Sequence, residues 1–146
     1  MSQTVFPKIA LATSNSEIER CYPVMVQLRP HLQRDSFVSR VRVQQQQGYQ
    51  LAYLHGSQVV GAAGFNLSHN LAWGKYLYVA DLVVDESQRS GGYGAALFNW
   101  LLEYARGADC QQIHLDSGVQ RFDAHRFYLG HRMKISSHHF SLTVDV

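Results

Sequence analysis

The 146-residue sequence contains few cysteines, prolines and lysines and no long hydrophobic run. No stretch approaches eighteen uninterrupted apolar residues, and the N-terminus lacks a basic segment followed by an apolar core. We therefore expect neither a membrane span nor a secretory signal. Lysine occurs only at positions 8, 75 and 134, and the net charge of +2 includes no basic run, so a nucleic-acid surface is not indicated. Cys21 and Cys110 lack metal or disulfide spacing, which indicates buried thiols in a cytoplasmic, reducing compartment and no metal site.

What the sequence does contain is an ordinary globular composition, with 46% apolar and 16% charged residues. Its length fits a single domain, residues 1–146. The strand and helix patterns predict an α/β (α+β) fold, with a mixed, mostly antiparallel sheet, a parallel strand pair at its centre and about four helices. Strands are predicted at residues 8–12, 49–54, 59–65, 78–84 and 112–116, with a last strand or hairpin at 133–144. Helices are predicted to begin near residues 17, 36, 94 and 123.

Local signals refine this outline. Pro23 should bend or restart the first helix. Ser36 is the predicted cap of the second helix, and Asp123 is predicted at or near the cap of the last one. Residues 68–74 read as a polar loop. The glycines at 61 and 64, inside a predicted strand, indicate a bulge or a close approach of neighbouring groups.

The rest of the chain is organised around residues 78–97, which are typical of a strand, a glycine turn and a helix. Asp81 is the single charge in an otherwise apolar strand. Three glycines between residues 91 and 94 allow the backbone to curl with its N–H groups facing inward. The helix that follows directs its unpaired N–H groups and its dipole at the turn, and Arg89 adds a charge at the rim. The stretch therefore predicts a pyrophosphate site.

Two common phosphate motifs do not fit this stretch. The Walker pattern requires a lysine after its last glycine, and none is present here. The dinucleotide fingerprint requires a third glycine where Leu97 stands. A nucleoside triphosphatase and a dinucleotide-binding domain are therefore not indicated.

Instead, Arg89-Ser90-Gly91-Gly92-Tyr93-Gly94 matches the Arg/Gln-x-x-Gly-x-Gly/Ala signature of GNAT-superfamily N-acetyltransferases. Residues 124–133 resemble that family's later motif, in which a helix carrying Phe-Tyr is followed by a glycine-bearing turn. The order of elements agrees over nearly the whole chain. The sequence is thus identified as a member of this family, which implies acetyl-CoA (CoA) as co-substrate.

The resemblance implies roles for residues of both motifs. Backbone groups of Leu82, Val83 and Val84 are expected to bind the pantetheine arm, because a strand that splays from its neighbour leaves N–H and C=O groups for an amide-rich ligand. Tyr128 stands where the family usually has a general acid for the departing thiolate, and a phenol with an ordinary pKa near 10 is neutral at working pH. The expected pyrophosphate residues are Arg89, Ser90, Gly91, Gly92, Tyr93, Gly94 and Ala95.

Asp81 has three open interpretations. It precedes the expected pantetheine segment by one residue, so it can lie near the reacting carbon and take a proton from the acceptor amine. It can instead anchor a cationic acceptor. The third interpretation is a structural carboxylate paired with a backbone N–H or with an arginine such as Arg126.

Other functions stay open or are disfavoured. Asp116, Ser117 and His125 are the residue types of a hydrolase triad, but the sequence lacks the Gly-x-Ser-x-Gly nucleophile elbow. His138 and His139 are adjacent, so on a strand they point to opposite faces and cannot chelate one metal. We expect a small-molecule amine as acceptor. A protein or peptide acceptor and a catalytically silent acyl-CoA-binding module remain alternatives, and a homodimer is expected from the apolar segment 140–144.

Overall fold

A computed structural model describes residues 7–145, apart from the side chain of Ser90. Its elements follow the chain in this order: β1 (Lys8–Leu11), α1 (Asn15–Arg20), α2 (Tyr22–Leu28), α3 (Arg34–Gln46), β2 (Gln50–His55), β3 (Val59–Asn70), β4 (Gly74–Val84), a 3-10 helix (Glu86–Gly91), α4 (Tyr93–Gly107), β5 (Gln112–Leu115) and α5 (Phe122–Gly130). The contacts divide the chain into two units, residues 1–114 and 115–146.

The five strands form one sheet in sequence order. β1, β2, β3 and β4 pair antiparallel with their neighbours, and β4 and β5 run parallel, with α4 as the crossover between them. The α/β class and the mixed sheet predicted from the sequence are confirmed. The parallel pair was predicted at the centre of the sheet, but it lies at one end of the five described strands, because no further described strand pairs beyond β5.

The first three helices start and stop largely where local chemistry requires. Ser14 caps α1 in a capping box, in which its hydroxyl accepts from the N–H of Glu17 while the Glu17 carboxylate accepts from the Ser14 N–H. Pro23 lies in the first turn of α2, so the predicted restart is confirmed. The predicted cap at Ser36 is wrong, because α3 already begins at Arg34 after Gln33 in an extended conformation.

Apolar side chains fill both faces of the sheet in the first unit. One buried cluster joins α1, α2 and α3 to β2 and includes Cys21, which is fully buried. Burial raises the pKa of the Cys21 thiol to about 12. A second group involves α4, where Phe65 makes edge contacts with the rings of Trp100 and Tyr104. The sheet is thus covered by three helices in one cluster and by α4 in the other.

The predicted polar loop at residues 68–74 is mostly strand. β3 continues to Asn70 and β4 begins at Gly74, so the hairpin turn is only three residues long. These polar residues lie in strands because this end of the hairpin is half-exposed, where strands tolerate polar side chains.

In the second unit, α5 is its one helix among the described residues. Arg121 takes the cap position, and Asp123 lies in the first turn, near the cap as predicted. Asp123 pairs with Arg126 at 3.1 Å on the surface. The last strand predicted at 133–144 is also wrong, since residues 133–145 contain no helix or strand. Alternating apolar residues form a strand only beside a partner strand, and here Phe140, Leu142 and Val144 are exposed.

Candidate functional site

A β-bulge in β4 sets the geometry of the site. Gly64 and Phe65 are consecutive in β3, but they pair with Asp81 and Val79, so Ala80 is an extra residue in β4. A bulge leaves its extra residue outside the ladder and changes which way the following side chains point. The bulge thus frees the Ala80 carbonyl and turns the Asp81 side chain toward the α1–α3 cluster, where Tyr49 lies.

Tyr49 reaches Asp81 by crossing the intervening strand. It stands just before β2, is 4% exposed, and donates a hydrogen bond from its hydroxyl to Asp81 Oδ2 at 2.8 Å. The ring passes β3 at Gly64, where an added Cβ would lie 1.7 Å from the Tyr49 hydroxyl oxygen. Burial, and then the Asp81 carboxylate, raise the pKa of Tyr49 well above its ordinary value of 10, so the phenol stays protonated as a donor. The expectation that glycine at 64 marks a close approach is confirmed.

Arg29 holds the other oxygen of the same carboxylate. It follows the last residue of α2 and donates from Nε to Asp81 Oδ1 at 3.1 Å and from Nη2 to the Ala80 carbonyl at 3.0 Å. The Asp81 side chain is 13% exposed and that of Arg29 41%. An arginine partner for Asp81 was expected, but it is Arg29; Arg126 pairs with Asp123 instead.

The glycine turn leads directly into α4. Gly92 occupies the position before the helix with φ of 79°, a left-handed conformation that glycine adopts without strain, and a Cβ there would meet nothing within 4 Å. No side chain caps this end of α4. The first N–H groups of a helix have no partner inside it, so the turn presents donors and the positive end of a dipole.

The edge of β4 next to β5 is longer than β5 itself. β4 has eleven residues and β5 four, and the N–H of Gln111 binds the Lys75 carbonyl at 2.8 Å. β5 therefore starts beside the beginning of β4 and ends first, because the two strands run parallel. The unmatched part of β4 is its carboxyl end, which contains Leu82, Val83 and Val84.

A second contact network holds the segment after β4. Asp85 accepts from the Ser87 N–H at 3.2 Å and from Gln27 Nε2 at 3.3 Å. The side-chain oxygen Oε1 of Gln27 accepts from the Glu86 N–H at 3.0 Å. The Ser87 hydrogen bond is the main reason that the pKa of Asp85 lies below its usual range, and nearby Arg89 lowers it further. The turn that carries Arg89 is thereby tied to α2.

Tyr128 lies in the second unit, on α5, with its ring edge against Phe127. Burial raises the pKa of the Tyr128 hydroxyl above 10, and the positive charge of Arg121 partly offsets this rise. The hydroxyl is therefore protonated over the physiological pH range.

Asp116, Ser117 and His125 do not form a hydrolase-type triad in the second unit. His125 Nε2 lies 2.8 Å from the Gly118 carbonyl, and Asp116 Oδ1 lies 3.4 Å from His139 Nδ1. Ser117 Oγ is buried without a hydrogen-bond partner. Among residues 7–145, no group of three or more His, Cys, Asp or Glu side chains could hold a metal ion, and no helix is long and apolar enough to cross a membrane.

Sequence reasoning missed Tyr49, Arg29 and Gln27. Tyr49, Arg29 and Gln27 contact β4 or the turn after it from positions more than thirty residues away in sequence, and no local motif marks them. The one sequence signal of this arrangement is Gly64, a glycine inside a strand pattern.

The chain is similar to known proteins. The sequence model described as the acetyltransferase (GNAT) family matches residues 14–131, across both units. The chain is 36% identical over 118 residues to the uncharacterised N-acetyltransferase YhdJ of Bacillus subtilis (strain 168), covering 80% of this chain and 83% of that protein. It is 34% identical over 96 residues to the aminoalkylphosphonate N-acetyltransferase of Salmonella typhimurium (strain LT2), covering 65% of this chain and 60% of that one.

The fold agrees with a solved structure as well. The aminoglycoside N-acetyltransferase AAC(6')-Iy in complex with CoA superposes with a TM-score of 0.85 at 11% identity, covering 100% of this chain and 99% of that chain. The chain therefore belongs to the GNAT family of N-acetyltransferases.

Proposed function

We propose that the protein transfers the acetyl group of acetyl-CoA to the amine of a small molecule by direct attack. The observation that carries the proposal is the glycine turn at Gly92. The turn leads into the uncapped N-terminus of α4 and follows the carboxyl end of β4, which extends beyond β5. This arrangement suits a ligand with a pyrophosphate and an amide-rich arm. We treat residues 1–146 as one acetyltransferase domain.

The chain's own groups fit CoA in two places. Free N–H groups at the start of α4 suit the pyrophosphate, and Arg89 supplies positive charge beside them. The surrounding segment is Arg89, Ser90, Gly91, Gly92, Tyr93, Gly94 and Ala95, as the sequence predicts. Backbone groups of Leu82, Val83 and Val84 suit the pantetheine amides as an added strand would. Bound acetyl-CoA supplies the activated acetyl group.

Asp81 serves the acceptor in this proposal. Its two oxygens already accept from Arg29 and Tyr49, which favours the anchoring interpretation over that of a base that gains and loses a proton. A carboxylate oxygen has two acceptor positions, so each still has capacity for an ammonium donor. Asp81 therefore attracts and orients the amine beside the thioester.

Tyr128 is the proposed general acid. A phenol that burial keeps protonated can donate to the thiolate as the C–S bond breaks, and the proton then belongs to the CoA thiol. Before the attack the ammonium loses one proton to water, so that its lone pair is free to form the bond to the acetyl carbon. After the attack the nitrogen loses a second proton to solvent, and solvent returns a proton to the Tyr128 phenolate.

A small acceptor is favoured by the relative from Salmonella, whose name describes acetylation of aminoalkylphosphonates.

The free cysteines fit a reducing compartment, and the cytoplasm is the proposed location. The exposed segment 140–144 is the proposed contact of a homodimer.

The first test is binding of CoA. At a concentration a hundred times its Kd, CoA should raise the free energy of unfolding by about 2.7 kcal/mol and increase the Tm correspondingly. Gly92→Asp should abolish this shift because it places a negative charge where the pyrophosphate binds. Gly92→Asn is the matched control, since asparagine tolerates positive φ and adds no charge. An unchanged CoA shift in Gly92→Asp would remove the proposed site.

The second test is turnover. A panel of small amines, polyamines, aminoglycosides and peptides, monitored by release of free CoA thiol, identifies the acceptor class. Turnover of small amines supports the proposal. Turnover of peptides alone would indicate a protein acetyltransferase, and CoA binding without turnover would indicate the silent module.

A further inference from the structure

Arg29 retains hydrogen-bonding capacity that its structural contacts do not use. A guanidinium carries five N–H donors in a rigid plane. The side formed by Nε and Nη2 is taken by Asp81 and the Ala80 carbonyl. Nη1 makes no hydrogen bond to any residue that the structure describes, so the end formed by Nη1 and the second hydrogen of Nη2 remains free. Two parallel donors on one edge are the arrangement that binds a carboxylate or phosphonate in bidentate fashion.

The free end is both fixed and accessible. Two hydrogen bonds to β4 hold the plane of the guanidinium in place, so little side-chain freedom is lost when a ligand binds. The Arg29 side chain is 41% exposed, whereas the Asp81 side chain that it meets is only 13% exposed. Arg34 is held differently. It meets Glu19 at 3.6 Å, with both side chains more than half exposed, and its guanidinium carbon lies 4.7 Å from the centroid of the Tyr22 ring.

The charges at this point are arranged as a pair. Arg29 Nε and Asp81 Oδ1 are 3.1 Å apart, and each side chain has unused capacity on its other atoms. A ligand that satisfies both presents an ammonium to Asp81 and an anion to Arg29. Because the two protein groups touch, the ligand's own charges are separated by only a few bonds.

We propose that Arg29 binds an acidic group of the acceptor, so that the preferred substrates are small amines carrying a carboxylate, phosphate or phosphonate close to the amine. This rests on the proposed function, and it assigns the acceptor class and a specificity-determining residue. In this arrangement Asp81 binds the ammonium group that every acceptor has, and Arg29 favours those acceptors that also carry an acidic group.

The test compares matched acceptors with the wild-type protein at low ionic strength, where a partly exposed charge is least screened. 3-Aminopropanoate and 2-aminoethylphosphonate should each have a kcat/KM at least about tenfold above that of n-propylamine, as one charge-assisted bidentate contact implies. 6-Aminohexanoate carries the same two charges farther apart, and its advantage should be small. Methylphosphonate, which has the anion without the amine, should inhibit competitively against 3-aminopropanoate.

Arg29→Gln should reduce kcat/KM for the two acidic amines to the level of n-propylamine and abolish inhibition by methylphosphonate. Arg34→Gln removes an equal charge from the neighbouring helix and should leave the acidic preference intact. Equal kcat/KM for acidic and neutral amines in the wild-type protein would overturn the proposal while leaving the acetyltransferase function standing. An equal loss for all amines in Arg29→Gln would also overturn it, because Arg29 would then act only through Asp81.

If Arg29→Gln does not fold, the wild-type comparison and the methylphosphonate inhibition decide the question alone. Absence of turnover with every amine, including n-propylamine, would instead refute the proposed small-amine function. The two failures are therefore distinct.

Discussion

Replacing Gly64 with alanine tests the crossing of Tyr49 over β3. The added methyl carbon would lie 1.7 Å from the Tyr49 hydroxyl oxygen and 2.3 Å and 2.5 Å from two ring carbons, whereas ordinary contact begins at 3.4 Å. Both partners are buried, so the ring has to move by more than an ångström. That displacement breaks its 2.8 Å hydrogen bond to Asp81.

The expected cost has two parts. Forcing a methyl into a packed site costs about 1–3 kcal/mol, and losing a hydrogen bond to a charged group costs about 1.5–3 kcal/mol. Since each 1 kcal/mol shifts the Tm of a domain of this size by about 2–4 °C, Gly64→Ala should lower the Tm by roughly 5–24 °C. Tyr49→Phe removes only the hydrogen bond and should cost about 1.5–3 kcal/mol.

Thermal and urea unfolding of both single variants and of the double variant measure the coupling. In the Tyr49→Phe background the hydrogen bond is already absent, so Gly64→Ala should cost less by about 1.5–3 kcal/mol than in the wild type. Gly107→Ala is the control, because a Cβ at the end of α4 meets nothing within 4 Å. A Gly64→Ala Tm within about 1 °C of wild type, or the same cost in both backgrounds, would refute the reasoning.

Three further predictions concern the site and its pH dependence. Asp81→Asn should reduce kcat/KM for amines by at least about tenfold, as expected for one lost charge-assisted contact, while the CoA-induced thermal shift stays nearly unchanged. An equal loss of CoA binding would make Asp81 purely structural. Tyr128→Phe should lower kcat about a hundredfold or more, and an unchanged kcat would contradict the acid role. Because burial raises the pKa of Tyr128, wild-type kcat should not fall through ionisation of this group over the physiological pH range. The Ser14 and Thr13 hydrogen bonds lower the pKa of Glu17 from 4.5 to about 2 in the folded state. The ionised Glu17 therefore stabilises the fold fully above pH 4.5, and this contribution is lost as the pH falls toward 2. The pH dependence of stability in Glu17→Gln should lack this loss, and a profile identical to that of the wild type would contradict the prediction.

The parts of the site that depend on local chemistry could be predicted from the sequence. The glycine turn requires positive φ at Gly92, and α4 requires apolar residues at steps of three and four, and both signals lie within a short window. The strand before the turn was found for the same reason. These elements identify the family and the expected cofactor segment.

The partners of Asp81 could not be predicted, because they depend on the register of three strands. Arg29 lies 52 residues away in sequence and Tyr49 lies 32 residues away. Their contacts further depend on the bulge at Ala80, since without the extra residue Asp81 would face the opposite side of the sheet. Simple alternation along β4 contains no sign of that change.

The C-terminal prediction failed for a related reason. Alternation of apolar residues describes what a segment can do when a neighbouring strand is available, and residues 133–145 have no strand partner among the described residues. A pattern within one segment does not reveal whether its partner exists.

The burial of Cys21 has a practical consequence for measuring this enzyme. A thiol whose pKa is about 12 is almost entirely protonated at pH 7–8, and only the thiolate reacts readily with disulfide reagents. In the intact protein a colorimetric thiol reagent therefore does not detect Cys21. It reports the CoA released by turnover above a fixed contribution of one thiol per chain from the half-buried Cys110. When the core opens, the same thiol becomes solvent-accessible and its pKa returns to the ordinary range, so labelling of Cys21 in the absence of acetyl-CoA times the unfolding of α1 from β2. One reagent thus follows catalysis in the native protein and counts the molecules that have lost their structure.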